Sequence, residues 1–439
     1  MLQIQKDLSR NFYVLLSLPA TAMGFALCIQ IAALSWILNT KYGLNLEEVG
    51  FVWAAGPLAG ILGQPIVGLI SDKVWFWGGR RRPFILIGGT IAALMILALP
   101  NIHIIDQALG IDYLIGVALT VALTLDLAIN VSFNPTRSII ADVTPLGEER
   151  TRGFAWMQTI SGFFGVLAYL IGAFYSNYTL IYIGAVLVFV FSVFPTLFIK
   201  EKKELDDDEP RDKTLLDEPI IAEVASNKTN WNEFLKINLA HAFTWLGVQT
   251  MFVYTFFYIK VVIMGYGPEE ELAQSISDNI GFIIGIAFAV LNTVGFLLPA
   301  PVLEPLAQKF GRVRTHMSCI AIMAMGYLLL VLFGQSKEML FVLMAVVGIG
   351  WAAVVSLPFA IMSEVVDQSR MGFFMGLFNL SVVLPQLVAS GLGGYIQGFE
   401  DKSIIFIISA VSLGISAVLW FFVKESKSET KPIMSGGGH

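Results

Sequence analysis

The sequence predicts an all-α integral membrane protein whose twelve transmembrane helices form two pseudo-symmetric six-helix bundles. Three observations support this fold class: the composition, the recurrence of long apolar segments and a weak internal repeat. Of the 439 residues, 56% are hydrophobic and 14% are charged, and the mean hydropathy is +0.74. A soluble domain usually carries about 25% charge. Because the backbone must satisfy its own hydrogen bonds in lipid, such apolar runs predict helices.

Twelve apolar segments follow one another along the chain, and each is long enough to cross a bilayer of ordinary thickness. They span roughly residues 12–39, 47–71, 83–105, 113–141, 153–174, 178–199, 233–264, 279–308, 315–334, 338–366, 371–398 and 403–423. The widest gap, 200–232, contains EKKELDDDEPRDK, which is too polar to bury and predicts a linker. We therefore expect one bundle over 1–199, a cytoplasmic linker over 200–232, a second bundle over 233–425 and a tail over 426–439.

The distribution of basic residues predicts the orientation. If both termini are cytoplasmic, the outer loops and outer helix ends hold only four of the 27 basic residues, namely Lys41, Lys260, Lys337 and Lys402. An excess of Lys and Arg on one side marks the cytoplasmic side. We therefore expect a multi-pass protein of the bacterial inner membrane or of a eukaryotic plasma membrane, with both termini cytoplasmic.

The two halves share a pattern that indicates duplication. GLISDKVWFWGGRRRPF at 68–84 and EPLAQKFGRVR at 304–314 both place an acid, a glycine and a basic cluster at a cytoplasmic turn. NPTRSIIADV at 134–143 and LPFAIMSEVV at 357–366 both place a proline six or seven residues before an acid. The matches recur in the same order at an offset near 220 residues, as internal repeats of transporters do.

The fourth segment carries a carboxylate, Asp126, deep inside an apolar helix. An ionisable group there is costly and is a candidate for ion or substrate handling; the alternative is a structural cap or a pairing with Arg137. Asn130 follows one turn later and would bond either Asp126 or a substrate, or simply join two helices. Arg137, about 16 Å further along, is either a partner of Asp126 or part of a cytoplasmic gate with Asp142, and the distance favours the gate.

Charged residues at the cytoplasmic turns are candidates for a conformational latch, in which ion pairs hold one state and break in the other. The alternative is that they only set the topology. The candidates in the first half are Asp72, Lys73, Arg80, Arg81, Arg82, Arg137, Asp142 and Arg152, and their counterparts in the second half are Glu364, Asp367 and Arg370.

Several motifs resemble one family. GPLAGILGQPIVGLISDKVWFWGGRRRPF at 56–84, LDLAINVSFNPTRSIIADV at 125–143, SLPFAIMSE at 356–364 and GLFNLSVVLPQLVASG at 376–391 resemble the plant sucrose-proton symporters and their animal and bacterial relatives. These are major facilitator proteins, similar to the glycoside-pentoside-hexuronide:cation symporters. The resemblance implies the major facilitator fold and gives Asp126 the proton-coupling role of the matching family residue.

The seventh segment departs from that family. The family often carries an acid in the stretch that corresponds to VYTFFYIKVV at 253–262, where this chain has Phe256, with Lys260 one turn later. The departure bears on the sugar pocket and on the identity of the substrate.

Amide and aromatic side chains inside the apolar segments are candidates for a sugar pocket, because aromatic faces stack on sugar rings and amides bond hydroxyls. Each candidate is also compatible with simple packing or with a place at the membrane interface. The membrane interface is the expected place of His241. The candidates are Gln64, Trp156, Gln158, Trp245, Gln249, Tyr254, Trp351, Asn379 and Gln386.

The expected function is proton-coupled symport of a sugar, most directly a disaccharide such as sucrose or maltose, by alternating access. The alternative is a proton-coupled antiporter that exports a drug or metabolite, and a lone carboxylate is also compatible with sodium. The chain has no HExxH, Gly-x-Ser-x-Gly or phosphate-loop motif, which argues against an enzyme. We expect a monomer in the lipid bilayer, with a sugar and protons as partners and no cofactor, metal site or nucleic acid.

Overall fold

The computed structural model describes residues 3–61, 74–110, 112–144, 148–201, 229–367 and 371–424. Four of the candidate residues, Gln64, Asp72, Lys73 and Arg370, lie outside these ranges, as do most of the expected linker and the tail. The long elements of the described part are all helices, as the apolar segments predicted.

The first half contains one helix for each of its six predicted segments. The helices are α1 Arg10–Thr40, α2 Leu46–Trp53, α3 Arg82–Ala98, α4 Leu114–Val143, α5 Glu148–Phe174 and α6 Asn177–Phe198. A short helix, Gln3–Lys6, precedes α1, and Ile102–Leu109 extends α3 after one 3-10 turn. After Trp53 the helical conformation resumes over 55–61, where this described range ends.

The second half repeats this series. Its helices are α7 Trp231–Tyr258, α8 Gln274–Leu297, α9 Arg312–Phe333, α10 Lys337–Ser363, α11 Met371–Gly391 and α12 Ile404–Phe421. The π-helical turns Ile259–Ile263 and Pro299–Leu303 extend α7 and α8, and the short helices Glu304–Phe310 and Gly393–Gln397 follow α8 and α11.

Eleven stretches of the described residues are long and apolar enough to cross a membrane. They correspond to eleven of the twelve predicted segments. The second segment, 47–71, begins in α2 and runs into residues outside the described ranges. The main difference from the sequence prediction is local: the third segment is broken at Leu99–Asn101, where Pro100 removes a backbone donor.

Helix caps explain several of the boundaries. Ser9 precedes α1 and its hydroxyl accepts a hydrogen bond from the Phe12 amide at 3.3 Å. Asn45 and Glu48 form a reciprocal capping box at the start of α2, with bonds of 3.0 and 2.8 Å. Such caps satisfy backbone donors that the first turn leaves unpaired.

The helices pack mainly within their own half. In the first half α1 packs on α5 and α6, and α3 packs on α4 and α6; in the second half α7 packs on α11 and α12, and α9 packs on α10 and α12. The halves meet where α5 contacts α8 and where α1 and α2 contact α7. The helix bundle has two ends. We call the end where α1, α3, α5, α7, α9 and α11 begin the termini face, and the other end the opposite face.

Candidate functional site

Asp126 lies in the middle of α4 and is 4% exposed. Gln30 of α1 donates a hydrogen bond from its side-chain amide to Oδ2 of Asp126 at 2.9 Å. Within the described residues Asp126 makes no ion pair. An isolated carboxyl group in an apolar site favours its neutral form, because the low dielectric penalises the charge.

Asn130 and Arg137 lie on the same helix but do not contact the Asp126 carboxylate in the hydrogen bonds described. Asn130 donates to the backbone carbonyl of Asp126 at 2.8 Å, one turn back along α4. The Arg137 guanidinium lies over the Phe133 ring, 4.3 Å from its centroid. The two roles considered for Arg137 both required an acidic partner, and within the described residues it has none.

The helical stretch 55–61 passes between Asp126 and the second half. A Cβ built on Gly56 would lie 3.5 Å from Oδ2 of Asp126, and one built on Gly60, a turn later, would lie 3.3 Å from Val383 of α11. Because Gly56 and Gly60 are one turn apart, a single face of this stretch approaches both α4 and α11. Val383 is one turn from Gln386, a candidate sugar ligand.

One face of α7 carries three polar or aromatic groups at helical spacing, Trp245, Gln249 and Phe252. Gln249 accepts a hydrogen bond from the Gln386 amide at 3.2 Å. Trp245 and Phe252 both contact the Trp351 indole edge-to-face, with centroids 6.2 and 5.4 Å apart. The structure therefore brings together four of the candidates named from the sequence: Trp245, Gln249, Trp351 and Gln386.

Asn292 of α8 completes this group, which we call the α7 wall. Its Oδ1 lies 3.3 Å from Nε1 of Trp351 and accepts the indole hydrogen bond, and its own amide donates to the Phe288 carbonyl at 2.9 Å. Tyr169 of α5, in the first half, packs against Phe288, one turn before Asn292, with ring centroids 5.8 Å apart. The α7 wall thus consists of Trp245, Gln249, Phe252, Asn292, Trp351 and Gln386.

Other candidates are placed apart from the α7 wall. Tyr254 is fully buried, and its hydroxyl lies 2.8 and 3.1 Å from the carbonyl oxygens of Ser390 and Ala389. Phe256, which stands where the family often has an acid, is 2% exposed and packs edge-to-face on Phe257. Gln158 is exposed on α5 and Asn379 is half-buried on α11.

The sequence suggested an interfacial position for His241. In the structure His241 is buried inside the second half. It is 3% exposed, its ring stacks on Phe378 at 4.7 Å, and its Nε2 accepts the Trp245 indole hydrogen bond at 2.9 Å. This arrangement fixes the orientation of Trp245 towards Trp351.

Among the described residues, four hydrogen bonds join the two halves at the opposite face. Ser35 donates to the Val253 carbonyl, Trp36 to the Ser277 carbonyl, Lys260 to Oδ1 of Asn39, and the Glu47 amide to Gln397, at 2.8, 2.8, 2.9 and 3.4 Å. We call these four contacts the opposite-face seal. Lys260 is 1% exposed, and its ammonium also donates to the carbonyls of Pro268 and Glu270, both at 2.9 Å.

At the termini face the described ion pairs join residues of the same half. Nε of Arg81, at the start of α3, lies 3.1 Å from Oδ2 of Asp142, at the end of α4, and Arg80 is 3.7 Å from the same oxygen. In the second half Arg312, at the start of α9, pairs with Glu364, at the end of α10. These two pairs occupy equivalent places in the repeat. Arg370, the basic candidate named for the second half, lies outside the described residues.

The remaining latch candidates at this face make different contacts. Arg82 donates to the Thr196 carbonyl, and the backbone amide of Asp367 donates to the Thr229 hydroxyl at 3.0 Å. Arg152 is exposed at the start of the spanning part of α5 and lines a cavity with Arg10 and Trp156.

The residues that the sequence analysis did not single out include Gln30, Asn292 and Glu201. Gln30 and Asn292 are amides inside apolar segments, and the same criterion that selected Gln249 would have selected them. Glu201 accepts the backbone amides of Arg80, Arg81 and Arg82 at 2.8, 2.9 and 2.9 Å. Nothing local in the sequence marks Glu201, because its partners lie about 120 residues away.

The chain is similar to known transport proteins. A family model described as MFS/sugar transport protein matches residues 13–399. The sucrose transport protein SUT2 of Oryza sativa subsp. indica is 24% identical, over 87% of this chain and 86% of the relative. The sucrose transport protein SUC4 of Arabidopsis thaliana is 24% identical over 88% and 84%. The general alpha-glucoside permease of Schizosaccharomyces pombe is 30% identical over 44% of this chain and 38% of the relative.

Solved structures show the same fold at low sequence identity. The nucleoside transporter NupG has a TM-score of 0.66 at 15% identity and covers 94% of this chain and 98% of that one. The inward open xylose transporter XylE from E. coli has a TM-score of 0.66 at 14% identity, with 95% and 97% covered. Because the family match spans most of the sequence, the chain belongs to the MFS/sugar transport family of the major facilitator superfamily.

Proposed function

We propose that the protein is a proton-coupled sugar symporter that carries a disaccharide such as sucrose or maltose by alternating access. The observation that carries the proposal is the buried Asp126, held by an amide and without an ion pair in the described residues. The printed names of the relatives, sucrose transport proteins and an alpha-glucoside permease, support a sugar of this class.

Protonation of Asp126 provides the coupling. A charged carboxylate is costly to carry through an occluded state in low dielectric, whereas the neutral acid is not. The loaded carrier therefore rearranges readily only when Asp126 is protonated. The neutral acid donates a hydrogen bond to a sugar hydroxyl and the carboxylate accepts one, so sugar and proton act on one group.

The α7 wall provides the groups that a sugar needs on the other side. Its indole and phenyl rings offer apolar faces for the sugar ring, and its amides offer donors and acceptors for hydroxyl groups. The helical stretch 55–61 passes close to Asp126 at Gly56 and to α11 at Gly60. This supports a pocket between Asp126 and Asn130 in the first half and Gln249, Gln386 and Trp351 in the second.

The opposite-face seal and the ion pairs of the termini face support alternating access. With the termini face towards the cytoplasm, the present state is closed to the outside, because the cross-half hydrogen bonds lie at the outer end. Opening to the outside requires that the seal separate while the halves close at the other end. Such rocking of one half against the other is the usual motion of two-repeat carriers.

The test is uptake of labelled sucrose and maltose into proteoliposomes under an imposed inward proton gradient. Gradient-driven uptake that is lost in Asp126→Asn would support proton symport through Asp126. Asp278→Asn is the matched control, because Asp278 is an exposed carboxylate at the start of α8, and it should leave uptake unchanged. Efflux of a preloaded sugar as protons enter would favour an antiporter, and uptake driven equally by sodium alone would overturn proton coupling.

A further inference from the structure

The Gln30 side chain is buried and hydrogen-bonds the Asp126 carboxyl group. Its amide Nε2 lies 2.9 Å from Oδ2 of Asp126, across the contact between α1 and α4, and Gln30 is 4% exposed. The two residues are 96 positions apart in the chain. A buried polar group costs free energy unless its hydrogen bonds are satisfied. A hydrogen bond between two buried polar side chains in an apolar bundle therefore favours a specific role.

The surroundings of Asp126 make this amide its main electrostatic partner. The carboxylates that open α2, Glu47 and Glu48, lie about 12 Å along the chain from Gly56 at helical rise. The other charged groups on the packed helices lie away from Asp126: Arg82 opens α3, Arg137 is about three turns from Asp126 along α4, and Arg152 lies near the start of α5.

We propose that Gln30 is a positioning residue for proton coupling, an inference that rests on the proposed function: its amide holds Asp126 in both protonation states and sets the pH at which the carboxyl group releases its proton. An amide suits this task because it carries a donor and an acceptor. Towards the carboxylate, the NH2 group donates. Towards the neutral acid, the amide oxygen accepts the carboxyl O–H after the amide turns about its terminal bond.

Protonation of Asp126 takes a proton from water and forms an O–H bond on a carboxyl oxygen, and deprotonation returns that proton to water. In each direction one hydrogen bond to Gln30 breaks and another forms, and Gln30 gains and loses no atoms. A lysine or arginine in the same place would hold Asp126 ionised and oppose its protonation. The amide is therefore the partner that permits a repeated cycle.

The position of Gln30 also connects Asp126 to the opposite-face seal. Gln30 is on α1, and the same helix supplies Ser35, Trp36 and Asn39 to the seal within three turns. A change in the hydrogen bond between Gln30 and Asp126 thus acts on the helix that holds the outer contacts together.

The test is an infrared titration of the reconstituted full-length protein, with the protonated-carboxyl band of Asp126 identified by its loss in Asp126→Asn. Gln30→Met removes the amide and keeps an unbranched side chain. Gln30→Met loses a stronger hydrogen bond to the carboxylate and a weaker one to the neutral acid, so we expect the midpoint of the band to move to higher pH by about one unit. In the Asp126→Asn background, Gln30→Met should have no further effect on sugar counterflow.

Thr21→Val is the matched control, because it removes another buried hydrogen bond of α1, between Thr21 and Ser161 at 3.0 Å, without touching Asp126. An unchanged midpoint in Gln30→Met, or an equal shift in Thr21→Val, would overturn the role of Gln30. A shifted midpoint in a protein that shows no proton-driven sugar uptake would support the role of Gln30 and overturn the proposed function, so the two failures are distinguishable.

Discussion

Replacement of Lys260 by methionine is expected to weaken the opposite-face seal and to favour the state that is open at that face. Lys260 is 1% exposed, and its three ammonium protons go to Asn39, Pro268 and Glu270, each at 2.9 Å. Of these acceptors only Asn39 belongs to the first half. Methionine keeps the apolar stem and removes the charge and all three donors.

The magnitude follows from the single bond that crosses between the halves. A hydrogen bond with a charged donor contributes about 1.5–3 kcal/mol, which corresponds to a roughly 10- to 150-fold change in the ratio of closed to open states. The bonds to Pro268 and Glu270 stay within the second half, so their loss affects folding stability and not the opening equilibrium.

The assay is a distance measurement between spin labels at Leu109 and Gln335, two exposed positions at the opposite face in different halves. The two native cysteines, Cys28 and Cys319, are first replaced by serine. Lys260→Met should add a population with a longer distance that the parent protein lacks.

Lys402→Met is the control for this experiment, because Lys402 is also 1% exposed and donates to three carbonyls, those of Ile396, Gln397 and Phe399. All of its acceptors lie in its own half, so its loss should lower thermal stability without lengthening the distance. If Lys260→Met and the parent gave the same distance distribution, the seal would not depend on this cross-half bond.

The remaining predictions concern the seal, the ion pairs and the pocket. A Cβ on Gly50 would lie 2.6 Å from the Tyr254 hydroxyl, so Gly50→Val should lengthen the same label distance, and no change would mean that α7 and α11 move aside. Arg81→Gln should lower the melting temperature more than Arg312→Gln, because the Arg81 pair is 11% and 15% exposed and the Arg312 pair 46% and 23%. An exposed pair contributes about 1 kcal/mol or less, and equal losses would contradict this order. Trp351→Leu should raise the KM for sugar by about 2- to 10-fold through loss of ring stacking, while Trp351→Phe should retain most of the affinity; equal KM values for the two variants would remove Trp351 from the pocket.

The repeat predicted from the sequence has a physical counterpart in the ion pairs at the termini face. Arg81 with Asp142 and Arg312 with Glu364 both join the start of one helix to the end of the next. Each pair places a guanidinium near carbonyls that end a helix, where a positive charge is favourable. Asp142 and Glu364 come from the matching segments four and ten, and Arg81 and Arg312 come from the matching turn motifs 68–84 and 304–314.

The spanning helices follow from the sequence alone, because a continuous apolar run long enough for a bilayer leaves the backbone no alternative to a helix. Asp126 stands out as well, since a charge inside such a run is visible without knowing its neighbours. Four members of the α7 wall were visible in the same way, as amide or aromatic groups inside apolar segments: Trp245, Gln249, Trp351 and Gln386.

Which of these groups meet depends on how the helices pack. Whether a side chain faces a partner depends on the rotation and crossing of its helix, and these are set by packing against helices far away in the sequence. Gln30 therefore faces Asp126, whereas Tyr254 turns its hydroxyl to the backbone of α11 and Lys260 reaches Asn39 on α1. Apolar periodicity is low where a helix is surrounded by apolar groups on every side, so the sequence carries little information about that rotation.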